Sequence, residues 1–476
     1  MNVLEWKTFF RYTKGALAYS VDQFIKSRSF FVVLIALQLL WLGVIVVTGI
    51  SRNWTKLLIL TIYTLVMGGA VILLPAMVTK RINDFKRWAL SKERRLLVVL
   101  ILVSLVAAGL YAIFQQSWAD EDRSFMVARL VSSEGLENAY WESGWLRNKH
   151  PPLVPLLYGL TLDIFGVNLF SLRLVSGMFL AATLVLTYLV ARELYDRETG
   201  YLASIFFLSF PVVVRLGSSA MMDMQLTFFF ALAVLLSLHL LKKPTYKRSL
   251  FIGLVIGLGM LTKYIMVLVY GVLLSLAVFR PHFRKIKPYL AVAILISIVV
   301  FSIWLAYANH LGILSGQIQK ISEYTGMIQL IKGIFVAKPA PETGSALTVP
   351  EVTLNLANSG IVKLGLESFF TRIPTSLGVY HLPLILLGII YVLRRRNPSD
   401  VFVLLWILVV FVILFLTLPD HRYFLPAFPA IAILIARVIN RYPQHKERAP
   451  LFSLLFAGGV LYLMVDWVRE TYLFFH

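Results

Sequence analysis

Apolar residues recur along the chain in near-continuous runs, many of roughly 18 to 25 residues, enough helix to cross a hydrocarbon core about 30 Å thick. Short polar or basic turns separate them, and the runs are too long for strands. The pattern predicts an all-α polytopic membrane protein of about thirteen transmembrane helices. The expected spans are 30–50, 57–79, 96–115, 167–191, 200–214, 224–241, 249–261, 264–279, 288–308, 381–393, 400–418, 423–438 and 451–468. Four parts follow: an N-terminal cytoplasmic segment with two additional helices (1–95), a transmembrane core (96–309), an outer-face cap (310–380) and C-terminal helices (381–476).

Alternation of these spans puts five segments on one face: residues 116–166, the turn at Met222, Thr262-Lys263-Tyr264, residues 310–380 and Asp420-His421-Arg422. In the first of them, Glu121 to Ser133 has helical character, with Phe125, Met126, Leu130 and Val131 on one face. Leu153 to Phe165, after Pro151-Pro152, is too short to cross and return and is expected to lie at the interface. Gly253 and Gly257, one turn apart, predict a close helix approach.

Composition strengthens this picture. The 476 residues are 59% hydrophobic and 14% charged, with mean hydropathy +0.80, which leaves no large soluble domain. A net charge of +21 would point to nucleic acid in a soluble protein. Here the excess sits in turns, at Lys80 to Arg95, Lys242 to Arg248, Arg280 to Lys287 and Arg394 to Arg396, all on the face opposite the five segments. The positive-inside rule makes that face cytoplasmic and removes the need for a nucleic-acid partner. No cleaved signal peptide is expected, and the absence of cysteine excludes disulfides and thiolate chemistry.

The candidate chemistry centres on Ser117 to Phe125, where Asp120, Glu121, Asp122 and Arg123 follow a span directly. Acidic groups at a membrane boundary are costly unless solvated or paired, which marks a site, although Asp120 also suits a helix N-cap. A spacing of three puts Asp120 and Arg123 on one helical face, while Glu121 diverges by about 100°. One carboxylate therefore faces any given reacting atom. A lone carboxylate beside cations suits attack of a hydroxyl on a sugar whose leaving group is phosphate, because phosphate departs without the general acid that glycosidases need. Arg123, Lys149, His150, Lys263 and Arg422 share the outer face as candidate phosphate ligands, although Lys and Arg at span ends also snorkel to headgroups. Asp223 either supports the site or caps its helix. Asp120, Glu121, Asp122, His150 and Asp223 carry donor atoms for a divalent metal, but no ligand spacing supports one, and no metal or other cofactor is expected to be required.

These residues occur in an order that resembles a known family. Asp120-Glu121-x-Arg123 is followed by His150-Pro151-Pro152-Leu153, Phe170-Ser171-Leu172-Arg173-Leu174 and Met222-Asp223-Met224. Gly257-Leu258-x-Met260-Leu261-Thr262-Lys263-Tyr264 and Arg422-Tyr423-x-Leu425-Pro426 complete the series. Over residues 96–440 the chain resembles the GT-C glycosyltransferases, most closely the branch of protein O-mannosyltransferases and lipid A aminoarabinose transferases. The resemblance implies inverting transfer of a sugar from a polyprenyl-phosphate carrier to a lipid, glycan or protein hydroxyl on the outer face. It maps the catalytic carboxylate onto Asp120, with Glu121 beside it, and the donor-phosphate ligands onto Arg123 and His150, where many relatives carry Lys and Lys149 can substitute. Asp223 maps onto a second acidic site residue, and Asp122, Tyr264 and Tyr423 are expected to support the site. Lack of an appended soluble domain points to a prokaryotic plasma-membrane enzyme. Two other readings keep the same architecture: a transporter or flippase for lipid-linked sugars, which would need mid-membrane charges and a repeat relating its halves, and a non-catalytic assembly protein.

Overall fold

The computed structural model describes residues 93–114, 117, 119–325, 372–378, 381–417 and 420–441. The expected spans at 30–50, 57–79 and 451–468, and most of the 310–380 cap, lie outside the described residues. Among the described residues the chain is all-α. Helix α1 (Glu93–Phe114) leads to α2 (Ala119–Glu142), a short α3 (Gly144–Lys149) and α4 (Leu153–Phe165). The bundle continues through α5 (Leu169–Leu194), α6 (Arg197–Ser209), α7 (Pro211–Gly217), α8 (Asp223–Lys242) and α9 (Tyr246–Thr262). A 3-10 turn (Tyr264–Val267) and α10 (Leu268–Ser275) precede α11 (Arg280–His310) and α12 (Leu314–Thr325). After α13 (Ile373–Leu377) come α14 (Leu382–Arg395), α15 (Pro398–Thr417), a second 3-10 turn (His421–Ala427) and α16 (Phe428–Arg441).

Five described helices are long and apolar enough to cross a membrane, six if α6 and α7 form one bent span. That pair corrects the expected single span at 200–214: the axis turns by 74° where Phe210 leaves helical geometry and Pro211 opens α7. Proline lacks the N–H that would continue α6 but suits the first position of a new helix. Side-chain caps mark the starts of α3, α5, α6 and α9. Asn168 accepts from the Ser171 amide and Asp196 from the Thr199 amide, each at 2.8 Å.

Burial separates central helices from peripheral ones. The apolar window of α8 is 67% buried and that of the segment carrying α16 is 83% buried, whereas α11 is only 28% buried and presents most of its apolar surface outward. A lipid environment accommodates that exposed surface. Phe230 stacks on Trp406 with ring centroids 6.0 Å apart in the centre of the bundle. As the glycine spacing predicts, α9 packs closely on α11: a Cβ on Gly253 would come within 2.6 Å of the Ala293 carbonyl, and one on Gly257 within 2.6 Å of the Val300 Cβ. At one end of the bundle, Arg437 on α16 pairs with Asp400 on α15, and Asn440 donates to Asp196 and Thr199 of the α5–α6 corner. The first-loop helices, the turn before α8, the Lys263 turn, α12 and the Asp420 turn meet at the other end.

Candidate active site

Glu121 fixes this end of the molecule. It is fully buried, and both carboxylate oxygens accept from Arg173 on α5 at 2.8 Å, from Nε and Nη2. Arg173 also donates to the Ala112 carbonyl of α1, and the Ala220 amide donates to Glu121 at 2.7 Å. Charge-assisted, two-pronged bonding of this kind is directional, and here it satisfies a charge that could not otherwise be buried. The clamp joins α1, α2, α5 and the turn before α8. Tyr158 on α4 braces the same turn by donating to the Met221 carbonyl and bonding Ser176 and Gln225. Glu121 was expected as a second catalytic carboxylate; it is turned inward, away from the cavity that its neighbour faces.

That cavity, of about 140 Å³, is lined by Asp120, Ser124, Trp145, Lys149, His150, Met221, Met222, Asp223, Lys263, Lys320, Arg422 and Tyr423. Asp120 lies in the first turn of α2, where the helix dipole favours an anion. Its Oδ2 receives Arg422 Nη1 at 2.5 Å and its Oδ1 receives Arg123 at 3.3 Å, the latter through the predicted same-face spacing. Asp120 keeps 26% of its side-chain surface exposed. Arg422 is also held by Asp420 through Nε at 3.0 Å. Asp223 opens α8 without capping it, and its carboxylate instead binds Lys263 at 2.7 Å, with both side chains almost fully buried. The Lys263 ammonium lies 4.3 Å from the centroid of the Tyr423 ring, and the Arg422 guanidinium lies 5.2 Å from it.

The other expected residues separate into two groups. Lys149 is exposed at the cavity lip and retains access to an incoming anion. Lys320, on α12, lines the cavity too and had no signal in the sequence beyond one lysine on an amphipathic helix. His150 corrects the expectation of a phosphate-binding cation. It is buried, and its pKa is pushed well below the ordinary histidine value, first by burial and then by Lys263, Lys149, Lys320 and Arg422, so the ring is neutral. Arg123 is half-exposed and bound to Asp120, outside the cavity lining, and Asp122 faces outward. Tyr264 is also not in the lining: its hydroxyl donates to Gln317 and accepts from Trp304, tying α12 to the Lys263 turn. Among the described residues no group of three or more His, Asp or Glu gathers as metal ligands, since Glu121 is clamped and Asp122 diverges.

Comparison with known proteins bears on this arrangement. Residues 149–307 match the family model described as dolichyl-phosphate-mannose-protein mannosyltransferase. The undecaprenyl phosphate-alpha-4-amino-4-deoxy-L-arabinose arabinosyl transferase of Pseudomonas aeruginosa is 30% identical over 154 residues, 31% of this chain and 28% of that protein. A second such transferase, from Pseudomonas fluorescens, is 25% identical over 47% of this chain and 41% of its own length. In three dimensions the chain superposes on ArnT from Cupriavidus metallidurans bound to undecaprenyl phosphate with a TM-score of 0.52 and 14% identity, over 72% of this chain and 60% of that one. Over the matched residues the chain is similar to these transferases, and at 14% identity the superposition shows a likeness of fold. Its sequence matches span less than half the length of the two Pseudomonas relatives. The family-matched segment holds Lys149, His150, Asp223 and Lys263. Asp120 and Arg422 fall outside it and join those four only through the fold.

Proposed function

We propose that the chain is a membrane glycosyltransferase that moves a sugar from a polyprenyl-phosphate carrier to an acceptor hydroxyl, with inversion, on the extracytoplasmic face of a prokaryotic plasma membrane. The observation that carries this reading is the cavity-facing pair of Asp120 and Arg422 with Lys149, Lys263 and Lys320 around the same space. The names of the relatives, transferases acting from undecaprenyl phosphate, agree with it.

In the step we infer, the acceptor oxygen attacks the anomeric carbon, the bond from that carbon to the phosphate oxygen breaks, and its electron pair leaves with the phosphate. The hydroxyl proton passes to Asp120. A carrier phosphodiester of charge −1 becomes a phosphomonoester of charge about −2, so the negative charge rises in the transition state. The four lining cations, Lys149, Lys263, Lys320 and Arg422, outnumber the two lining carboxylates, Asp120 and Asp223, which makes the lining cationic where that charge rises. The arrangement favours the charge that develops over the charge already present in the substrate, which is the condition for catalysis. Phosphate drawing Arg422 towards itself would release one Asp120 oxygen for the acceptor. Asp223 holds Lys263 in place, while Glu121 positions Asp120 without touching substrate. The segment 310–380 is assigned to acceptor choice. No step calls for a metal, because the counter-charges are side chains.

Incubating membranes that contain the full chain with a panel of labelled polyprenyl-phospho-sugars tests the reading. It predicts label transfer to an acceptor with inverted anomeric configuration and release of polyprenyl phosphate. Movement of intact labelled carrier across the bilayer without cleavage would contradict it.

A further inference from the structure

His150 and Trp145 occupy the part of the cavity that the phosphate chemistry leaves unassigned. The His150 imidazole lies against the Trp145 indole, with ring centroids 4.0 Å apart. Its backbone is fixed on both sides: the amide donates to the Leu146 carbonyl at 3.1 Å, and the carbonyl accepts from the Tyr140 hydroxyl at 2.9 Å. Pro151 and Pro152 follow and stiffen the exit. The backbone that carries the ring is therefore fixed. His150 is 9% exposed and lines the cavity, yet Nδ1 has no hydrogen-bond partner among the described residues. Nδ1 is itself shielded, so a ligand in the cavity meets the part of His150 that stays exposed, with Trp145 beside it.

We infer that His150 and Trp145 form a subsite for an uncharged, hydroxyl-bearing ring, the sugar of the donor, beside the cations that take its phosphate. This rests on the glycosyltransferase reading. A neutral imidazole carries one donor and one acceptor, the same complement as a sugar hydroxyl, whereas a phosphate offers acceptors alone. Burial and the cations around it, Lys263, Lys149, Lys320 and Arg422, disfavour a fifth positive charge on the ring, and those cations already offer charge to an anion. Trp145 adds a flat apolar face of the kind that packs against the C–H face of a sugar. The site thus divides by chemistry: charged donors for the leaving group, and a neutral polar and aromatic corner for the group transferred.

Binding to the purified full chain separates the two parts. Undecaprenyl phosphate without sugar is compared with undecaprenyl-phospho-mannose, -glucose and -aminoarabinose, using whichever sugar-bearing carrier the wild type holds most tightly. For His150→Phe we expect affinity for that carrier to fall about ten- to a hundredfold, with sugarless carrier unchanged within about twofold, because only a neutral hydrogen bond and its unpaired partner are lost. His150→Gln should recover most of the loss, and Trp145→Leu should show the same selective defect as His150→Phe if the phenylalanine variant does not fold. Wild-type preference for the sugar-bearing carrier should stay flat between about pH 5.5 and 8, where an ordinary histidine would titrate. Equal weakening of both carriers would make His150 a phosphate ligand, and no change in either would make it packing; each result overturns the proposal. Failure of the wild type to bind sugarless undecaprenyl phosphate would count against the glycosyltransferase reading itself, so the two failures are distinguishable.

Discussion

Asp120 and Glu121 are consecutive carboxylates on one helix, and they end in regions with opposite demands. Glu121 points into the clamp behind the cavity, where it is fully buried and every described contact is short and fixed. Asp120 points into the cavity, keeps 26% exposure and binds two guanidiniums, one of them from a distant turn. The rotation of about 100° between adjacent helical residues produces this division. A charge with all its bonds made locally holds structure. A charge with some surface left, facing cations that can turn to a ligand, can exchange partners with a substrate. Rigidity on the first side is what gives the second side a defined geometry.

Breaking the clamp should have the largest effect of the variants on stability. Glu121→Ala takes the carboxylate from the buried Arg173 guanidinium and is expected to cost about 3–5 kcal/mol, read as a lower melting temperature of the purified protein. Arg173→Ala should cost a similar amount, and the double variant should cost less than the two together, because each removes the same interaction. Additive losses would show that the two residues act separately.

The cavity side should respond in the reverse manner. Lys149→Ala and Lys320→Ala are expected to weaken donor binding by about tenfold or more each, the worth of a charge-assisted hydrogen bond, with melting unchanged. A stability loss without a binding loss would move either lysine out of the phosphate site. The smallest effect belongs to Arg123, whose pair with Asp120 is half-exposed. Arg123→Ala should change stability by less than about 1 kcal/mol. A loss as large as that from Glu121→Ala would mean that Arg123 belongs to the clamp.

Much of this architecture was legible in the apolar runs, because a helix that must satisfy its own backbone in lipid leaves a long hydrophobic signal. The short apolar α4 and the glycine approach of α9 to α11 were legible for the same local reasons. The break at Pro211 was not, since the apolar run continues through it and only the chain direction changes. At the site, the Asp120 and Arg123 pairing could be read from their spacing. The inward turn of Glu121 depends on Arg173, whose motif was visible but whose partner lies on another helix. The lowered pKa of His150 comes first from burial and then from four cations, of which only Lys149 is its neighbour in sequence, so most of it depends on the fold. Lys320 entered the cavity on a segment with no distinguishing pattern.

The central claim is that Asp120 takes or orients the acceptor proton while its neighbour only holds the fold. An asparagine at this position would keep the size and helix compatibility of the side chain but not its basicity, so Asp120→Asn in the full chain isolates the chemistry. The account predicts a melting temperature close to wild type, retained binding of undecaprenyl phosphate, and transfer from a polyprenyl-phospho-sugar reduced by about 10² to 10⁴-fold. A folded Asp120→Asn protein that transfers sugar at the wild-type rate would contradict it.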